Sequence, residues 1–307
     1  LHIKYTAGET ETETDGWVQT GHLDIAPEVR FSAVSINTEL PDADLANIPS
    51  ETLQTLYAPP VIPTISAAMR EVYERGQALG NDPQTVTKVG DSVTVNALYL
   101  KALRQHGYAL GPYDYLEGTI RFFADALVED SAAARIGLTA FGVFDPIWAS
   151  PKWCDGGETP LACEYRRRLP SIALIMFGPN DVGVLNSEQY ETQMRLLVDE
   201  TLVRGIIPVL STFSANPDAK TWEQAVHFNQ LVIEIAADYD LPLMNLWAAA
   251  RSLPGYGLGY DNTHLTSVGL KVNLATGYEA DYGVTLQNLV ALVTLDELRR
   301  TVINADS

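Results

Sequence analysis

TVTKVGDS, residues 85–92, and SIALIMFGPND, residues 171–181, each hold an apolar or β-branched run that stops at a glycine followed by polar residues. A short run of this kind, ended by turn formers, reads as a buried strand. Two more runs follow at residues 206–212 and 241–247. Amphipathic patterns at residues 187–204 and 221–239 lie between the later strands, and further helices are expected at residues 265–278 and 286–303. Strands alternating with helices in this way make βαβ units with right-handed crossovers, so the fold class is α/β with a mainly parallel sheet.

Upstream, residues 64–79 show apolar residues at helical spacing, with Thr64 or Ser66 placed to cap the helix. Residues 27–63 are rich in proline and predict an extended linker or wrapping segment. Residues 1–26 read as short strands bounded by turn residues, hence a hairpin. The expected division is a β-hairpin remnant over 1–26, the proline-rich segment over 27–63 and the main domain over 64–307.

The 307 residues are 46% hydrophobic and only 19% charged, enough for one large core and too apolar for a disordered chain. Acidic residues outnumber basic ones 39 to 20, giving a formal charge of −19. Such a field repels nucleic acid and anionic membranes. No apolar run approaches the roughly 20 residues that span a bilayer, so membrane insertion is not expected. The chain starts at Leu1 without a basic, apolar leader, and the expectation is a mature chain from which any signal peptide has been removed. Two cysteines, Cys154 and Cys163, sit close together in a Gly/Pro/acid-rich segment and suit a small disulfide-closed ring in an oxidising compartment.

In open parallel sheets, ligands bind beyond the carboxyl ends of the strands. Gly90-Asp91-Ser92 follows the first run, Gly178-Pro179-Asn180-Asp181 follows the second, and Asp261-Asn262-Thr263-His264 precedes the helix expected at Leu265. A helical segment after Ser92 would set its hydroxyl at a helix N-terminus, where free N–H groups favour negative charge. A serine needs a base to become a nucleophile, and His264 has a carboxylate three residues before it. Asp261 can hold Nδ1–H and leave Nε2 for Ser92. The Ser92 N–H and the Asn180 amide are natural oxyanion donors, and Gly137 and Gly142 compete to supply a third. Asp181 is given a structural role. His2, His22, His106 and His227 lack a carboxylate at a suggestive spacing.

Taken in order, these blocks resemble the SGNH/GDSL hydrolase family of serine esterases and lipases, over about residues 85–283. The resemblance implies a flavodoxin-like three-layer α/β/α sandwich with a five-stranded sheet. It also implies Ser92, Asp261 and His264 as triad, and Ser92 N–H, a glycine N–H and Asn180 as oxyanion hole. Gly137 fits the glycine better than Gly142, because a Thr, here Thr139, often follows two residues later in that family. The sequence departs from the pattern at Val93, where leucine is usual, and at Pro179, where threonine is commoner. Residues 1–26 weakly resemble the end of a bacterial SH3-like domain through Gly16-Trp17-Val18.

The function expected is ester hydrolysis through an acyl-enzyme, without metal or organic cofactor, on a carbohydrate ester, short acyl ester or lipid ester. Acyl transfer by the same triad is the alternative, as is a carbohydrate- or cell-wall-binding module with a vestigial triad. An extracellular or cell-envelope setting is expected, with cell-wall association through the N-terminal segment. The aromatics Tyr108, Tyr113, Tyr115, Phe122 and Phe123 are a candidate substrate-binding rim.

Overall fold

The computed structural model describes residues 2–6, 13–17, 48 and 50–304. Strands β1 (His2–Thr6) and β2 (Glu13–Trp17) pair antiparallel, with His2 opposite Trp17. The SH3-like resemblance reaches Val18, which lies with most of the proline-rich segment outside the described residues. Where that segment predicts extended chain, Ser50–Tyr57 forms helix α1. Pro49 precedes these eight residues and Pro59 follows them, so no proline interrupts the turn-to-turn hydrogen bonds. Leu56 is buried, and the Asn245 side-chain amide donates to the carbonyls of Leu56 (2.8 Å) and Pro59 (3.1 Å).

Helix α2 (Ala68–Ala78) begins just after Ser66, whose hydroxyl accepts the Ala68 N–H at 3.1 Å. The chain continues through β3 (Asp82–Gly90), α3 (Lys101–Gln105), β4 (Tyr108–Ala109), α4 (Glu117–Phe122), α5 (Ala124–Val128) and α6 (Pro160–Arg168). It then alternates β5 (Pro170–Met176), α7 (Ser187–Val203), β6 (Ile207–Ser211), α8 (Trp222–Asp238) and β7 (Leu243–Met244). Short α9 (Leu246–Ala250), β8 (Val272–Asn273) and α10 (Gly283–Leu298) close the domain. Helix α7 starts at a capping box in which Asn186 accepts the Gln189 N–H and Gln189 accepts the Asn186 N–H.

The central sheet runs β3-β5-β6-β7, all parallel, with Val86 opposite Ile172 and Leu174 opposite Val209. Every residue of β5 is buried, as expected where both faces of a parallel sheet are covered. Among the described residues the sheet has four strands rather than five. Where the fifth would lie, the chain at Ala134 makes a single parallel bridge to Gly90, through Gly90 N–H to Ala133 O and Arg135 N–H to Gly90 O. It then turns away at Ile136–Gly137, so the pairing does not extend. Counting that bridge, the spatial order is 2-1-3-4-5, a doubly wound arrangement.

Two expected elements differ. Residues 265–278 are not helical, because their backbone groups are taken by tertiary partners. Thr266 N–H bonds to Gly257 O, and Val272 and Leu274 N–H bond to Gly107 and Ala109 O. The run at 241–247 keeps only two strand residues, since Asn245 caps α9 by accepting the Ala248 N–H. The last helix, expected at 286–303, forms as α10 followed by a π-helical turn over Arg299–Ile303. Cys154 and Cys163 are joined in a disulfide. Among the described residues, no helix is long and apolar enough to cross a membrane.

Candidate active site

The order of the sheet reverses between β3 and β5, and the crevice beyond their carboxyl ends is where a doubly wound fold binds ligands. Ser92 stands two residues past the end of β3, and Gly178–Asp181 begins two residues past β5. Both leading glycines are required by close packing. A Cβ on Gly90 would lie 2.2 Å from the Met176 carbonyl oxygen, and one on Gly178 would lie 2.0 Å from the Phe213 ring.

After Ser92 the expected helix is absent. Val95 N–H closes one turn onto Asp91 O, and regular helix resumes only at α3. The Asp91 carboxyl accepts the Val93 N–H at 2.9 Å and so caps that single turn. Any stabilisation of charge at Ser92 therefore comes from individual N–H groups, not from a helix dipole.

His264 reaches Ser92 across the crevice. Its Nε2 stands 2.9 Å from Ser92 Oγ, and its Nδ1 stands 2.7 Å from Asp261 Oδ2. The other Asp261 oxygen accepts the backbone N–H groups of Thr263 (3.1 Å) and His264 (3.0 Å). Asn262 between them takes a left-handed φ of 55°, a conformation that asparagine tolerates. The His264 hydrogen bond, with help from those backbone N–H groups, holds the Asp261 carboxyl down to about 2. A carboxylate on Nδ1 fixes the tautomer with Nδ1–H donated and the Nε2 lone pair facing the hydroxyl. Ser92 is 8% exposed, whereas the side chains of His264 and Asp261 are 49% and 39% exposed, so the imidazole end is open to water.

Two buried carboxyls lie behind the crevice. Burial pushes Asp91 up to about 7, and the nearby charge of Asp181 adds to this, against the N–H groups of Val93, Asn180 and Thr94. Burial likewise pushes Asp181 up to about 6, opposed by its hydrogen bonds from Ala140 N–H (2.7 Å) and Gly178 N–H (2.9 Å). Asp181 thereby joins the loop at 137–140 to the end of β5.

Asn180 Nδ2 donates one hydrogen to Leu138 O at 3.3 Å, which leaves its second amide hydrogen for a ligand. Of the two competing glycines, Gly142 is buried and its N–H is committed to the Thr139 hydroxyl at 3.0 Å. Gly137 is exposed, directly before the Leu138 whose carbonyl meets Asn180.

Of the aromatics expected at a substrate-binding rim, Phe123 is too buried to reach a ligand. Tyr108, Tyr113, Tyr115 and Phe122 are partly buried against the core, with the Tyr113 hydroxyl on Glu279. His227 is exposed on α8. One contact escapes a reading of the sequence: Asn216, beyond β6, donates to Asn262 Oδ1 at 2.6 Å and steadies the turn before His264. A lone asparagine in a loop carries no signal for this.

Fold and site together define a doubly wound α/β protein with a serine–histidine–aspartate hydrogen-bond chain at its switch point. The sequence matches no protein-family model and no curated protein. Among solved structures it is similar to the acetylxylan esterase Axe2 of Geobacillus stearothermophilus, with 17% identity, a TM-score of 0.42, and 70% of this chain and 95% of that one covered. It is also similar to a GDSL-like lipase of Bacteroides thetaiotaomicron, with 12% identity, a TM-score of 0.43, and 75% and 97% covered. A third is a G-D-S-L family protein of Desulfitobacterium hafniense, with 15% identity, a TM-score of 0.44, and 69% and 99% covered.

Proposed function

We propose that this protein is a carboxylic ester hydrolase that works through an acyl-enzyme on Ser92. The observation that carries the reading is the unbroken chain Ser92 Oγ, His264 Nε2, His264 Nδ1, Asp261 Oδ2, with spacings of 2.9 and 2.7 Å. His264 takes the serine proton as Oγ adds to the ester carbonyl, and Asp261 stabilises the imidazolium. The oxyanion is met by the Ser92 and Gly137 N–H groups and the Asn180 amide. His264 returns the proton to the alkoxide, the alcohol leaves, and an acyl ester remains on Ser92. Water, deprotonated by His264, then adds to that ester; collapse releases the carboxylic acid and restores the serine.

The half-exposed His264 favours water as the acceptor over acyl transfer to a second alcohol, since nothing in the described site shields the imidazole. The intact hydrogen-bond chain weighs against a binding module with a vestigial triad. The Cys154–Cys163 disulfide supports an oxidising, extracellular or cell-envelope setting. Substrates in reach are esters of carbohydrates, short acids or lipids.

The test is hydrolysis of p-nitrophenyl esters from acetate to palmitate by the protein and its Ser92→Ala variant. Turnover that falls at least about 10³-fold in the variant is expected. Turnover that survives the substitution would place the chemistry elsewhere.

A further inference from the structure

Of the three proposed oxyanion donors, the Gly137 N–H sits on the most exposed stretch of chain. Gly137 takes a left-handed φ of 80°, and among the described residues no acceptor meets its N–H. Glycine in that region keeps more backbone freedom than any other residue. A donor serves a developing oxyanion only when it is held in place before the charge forms. The loop is moored on its buried side, where Asn180 Nδ2 donates to Leu138 O at 3.3 Å and the Asp181 carboxylate takes Ala140 N–H at 2.7 Å. Both bonds fall after Gly137 in the chain.

Trp148 holds the other side. A Cβ built on Gly137 would stand 3.7 Å from Trp148 Cη2, and one on Gly142 would stand 3.2 Å from Trp148 Nε1, so one indole lies along the loop between the two glycines. Trp148 ends a 3-10 turn, Pro146–Trp148, that Asp145 caps by accepting Ile147 N–H at 2.9 Å. Asp145 N–H in turn bonds to Gly142 O at 3.0 Å, which ties this turn back to the loop. From upstream, the Arg135 guanidinium donates to the Trp148 carbonyl and lies over the ring, 5.8 Å from its centroid. Arg135 N–H bonds to Gly90 O at 3.1 Å, two residues before Ser92. Arg135 and Trp148 therefore form a bracket around Gly137 that is anchored on the strand end leading to the nucleophile.

We infer that Trp148 is a positioning residue for the oxyanion: its indole holds the Gly137 N–H where the ester oxygen becomes negative, and Arg135 holds the indole. The inference rests on the ester-hydrolase reading. A ring that acts through Gly137 changes how well the transition state is held and leaves ground-state binding alone. Misplacing such a donor by about 1 Å can cost about 10²-fold in rate. Trp148 is only half-buried and Arg135 is exposed, so truncating either opens no large cavity in the core.

The experiment measures kcat and KM for p-nitrophenyl acetate, and Ki for butylboronic acid, in the protein and in Trp148→Ala, Arg135→Ala and Ile147→Ala. A boronic acid adds reversibly to an activated serine and sets an oxygen where the oxyanion forms, so its Ki reads the donors without turnover. Trp148→Ala should lower kcat at least about tenfold with KM within about twofold, and should weaken butylboronic acid by the same factor as kcat. Arg135→Ala should move both in the same direction, by about threefold or more. Ile147→Ala, 82% exposed and next to Trp148 in the chain, should move neither. Unchanged kcat in both Trp148→Ala and Arg135→Ala, or a fall in kcat with boronic acid affinity intact, overturns the positioning role and leaves the hydrolase reading standing. If Trp148→Ala fails to fold, Arg135→Ala decides alone. Neither turnover nor boronic acid binding by the unaltered protein overturns the hydrolase reading, and the role of Trp148 with it.

Discussion

The Asp181 carboxylate accepts the backbone N–H of Ala140 at 2.7 Å and so moors the loop of Gly137 to the residue beside Asn180. Its second oxygen holds Gly178 N–H at 2.9 Å, at the head of the same turn. The proposed oxyanion donors thus come from two chain segments whose spacing depends on one buried side chain. Asp181→Ala leaves two buried N–H groups without acceptors, which costs about 2–4 kcal/mol of stability. With the donors displaced, kcat should fall about 10²-fold and KM much less. Urea unfolding and ester kinetics read the two effects; unchanged kcat would detach Asp181 from the site.

Gly90 admits no side chain. A Cβ there meets Met176 O at 2.2 Å and Thr94 Oγ1 at 2.3 Å, so Gly90→Ala must push β3 from β5 or twist the Ser92 turn. A loss of about 3 kcal/mol in unfolding free energy is expected, typical of overpacking a close contact. A urea midpoint equal to that of the parent protein would contradict this packing.

Stability should fall as pH rises from about 4 to 8. Asp91 and Asp181, raised to about 7 and about 6 by burial, keep protons in the folded state that the unfolded chain releases near its ordinary 3.8. Their contribution is full below that value and is lost as pH rises through the folded values. Asp261 acts the other way: held near 2 by His264, its contribution is present above 3.8 and lost as pH falls toward 2. Urea midpoints across pH 4–8 should decline, and Asp91→Asn should flatten the decline. A midpoint that climbs through this range would be inconsistent with buried, protonated carboxyls.

The Cys154–Cys163 bridge closes a ring with a sequence separation of 9. Loop-closure entropy for a ring of that size gives about 2–3 kcal/mol. Reductant, or the double change Cys154→Ser and Cys163→Ser, should lower Tm by about 5–10 °C. A Tm insensitive to both would mean the bridge constrains little in the unfolded chain.

Much of this was legible in the sequence because it depends on local signals. The runs before Gly90 and Gly178 announced β3 and β5, and the spacing of Asp261 and His264 announced their contact. Tertiary effects were not legible. Residues 265–278 hold an apolar, helix-compatible pattern, yet Thr266 N–H bonds back to Gly257, and Val272 and Leu274 N–H bond to Gly107 and Ala109, far away in sequence. After Ser92 the chain makes only the one turn that Asp91 caps, and regular helix waits until α3, a stop that no local pattern announces. Phe123 reads with the other aromatics of 108–123 as a rim, because composition does not say which face is buried. Nor does the sequence announce that the Gly142 N–H is taken by the Thr139 hydroxyl.

The most direct measurement is mass-spectrometric mapping of the adduct formed with a fluorophosphonate, which phosphonylates a serine only where a base has activated it. A single adduct on Ser92, lost in Ser92→Ala and slowed at least about 10³-fold in His264→Ala, is predicted. No adduct on Ser92, or labelling that ignores the loss of His264, would contradict the account.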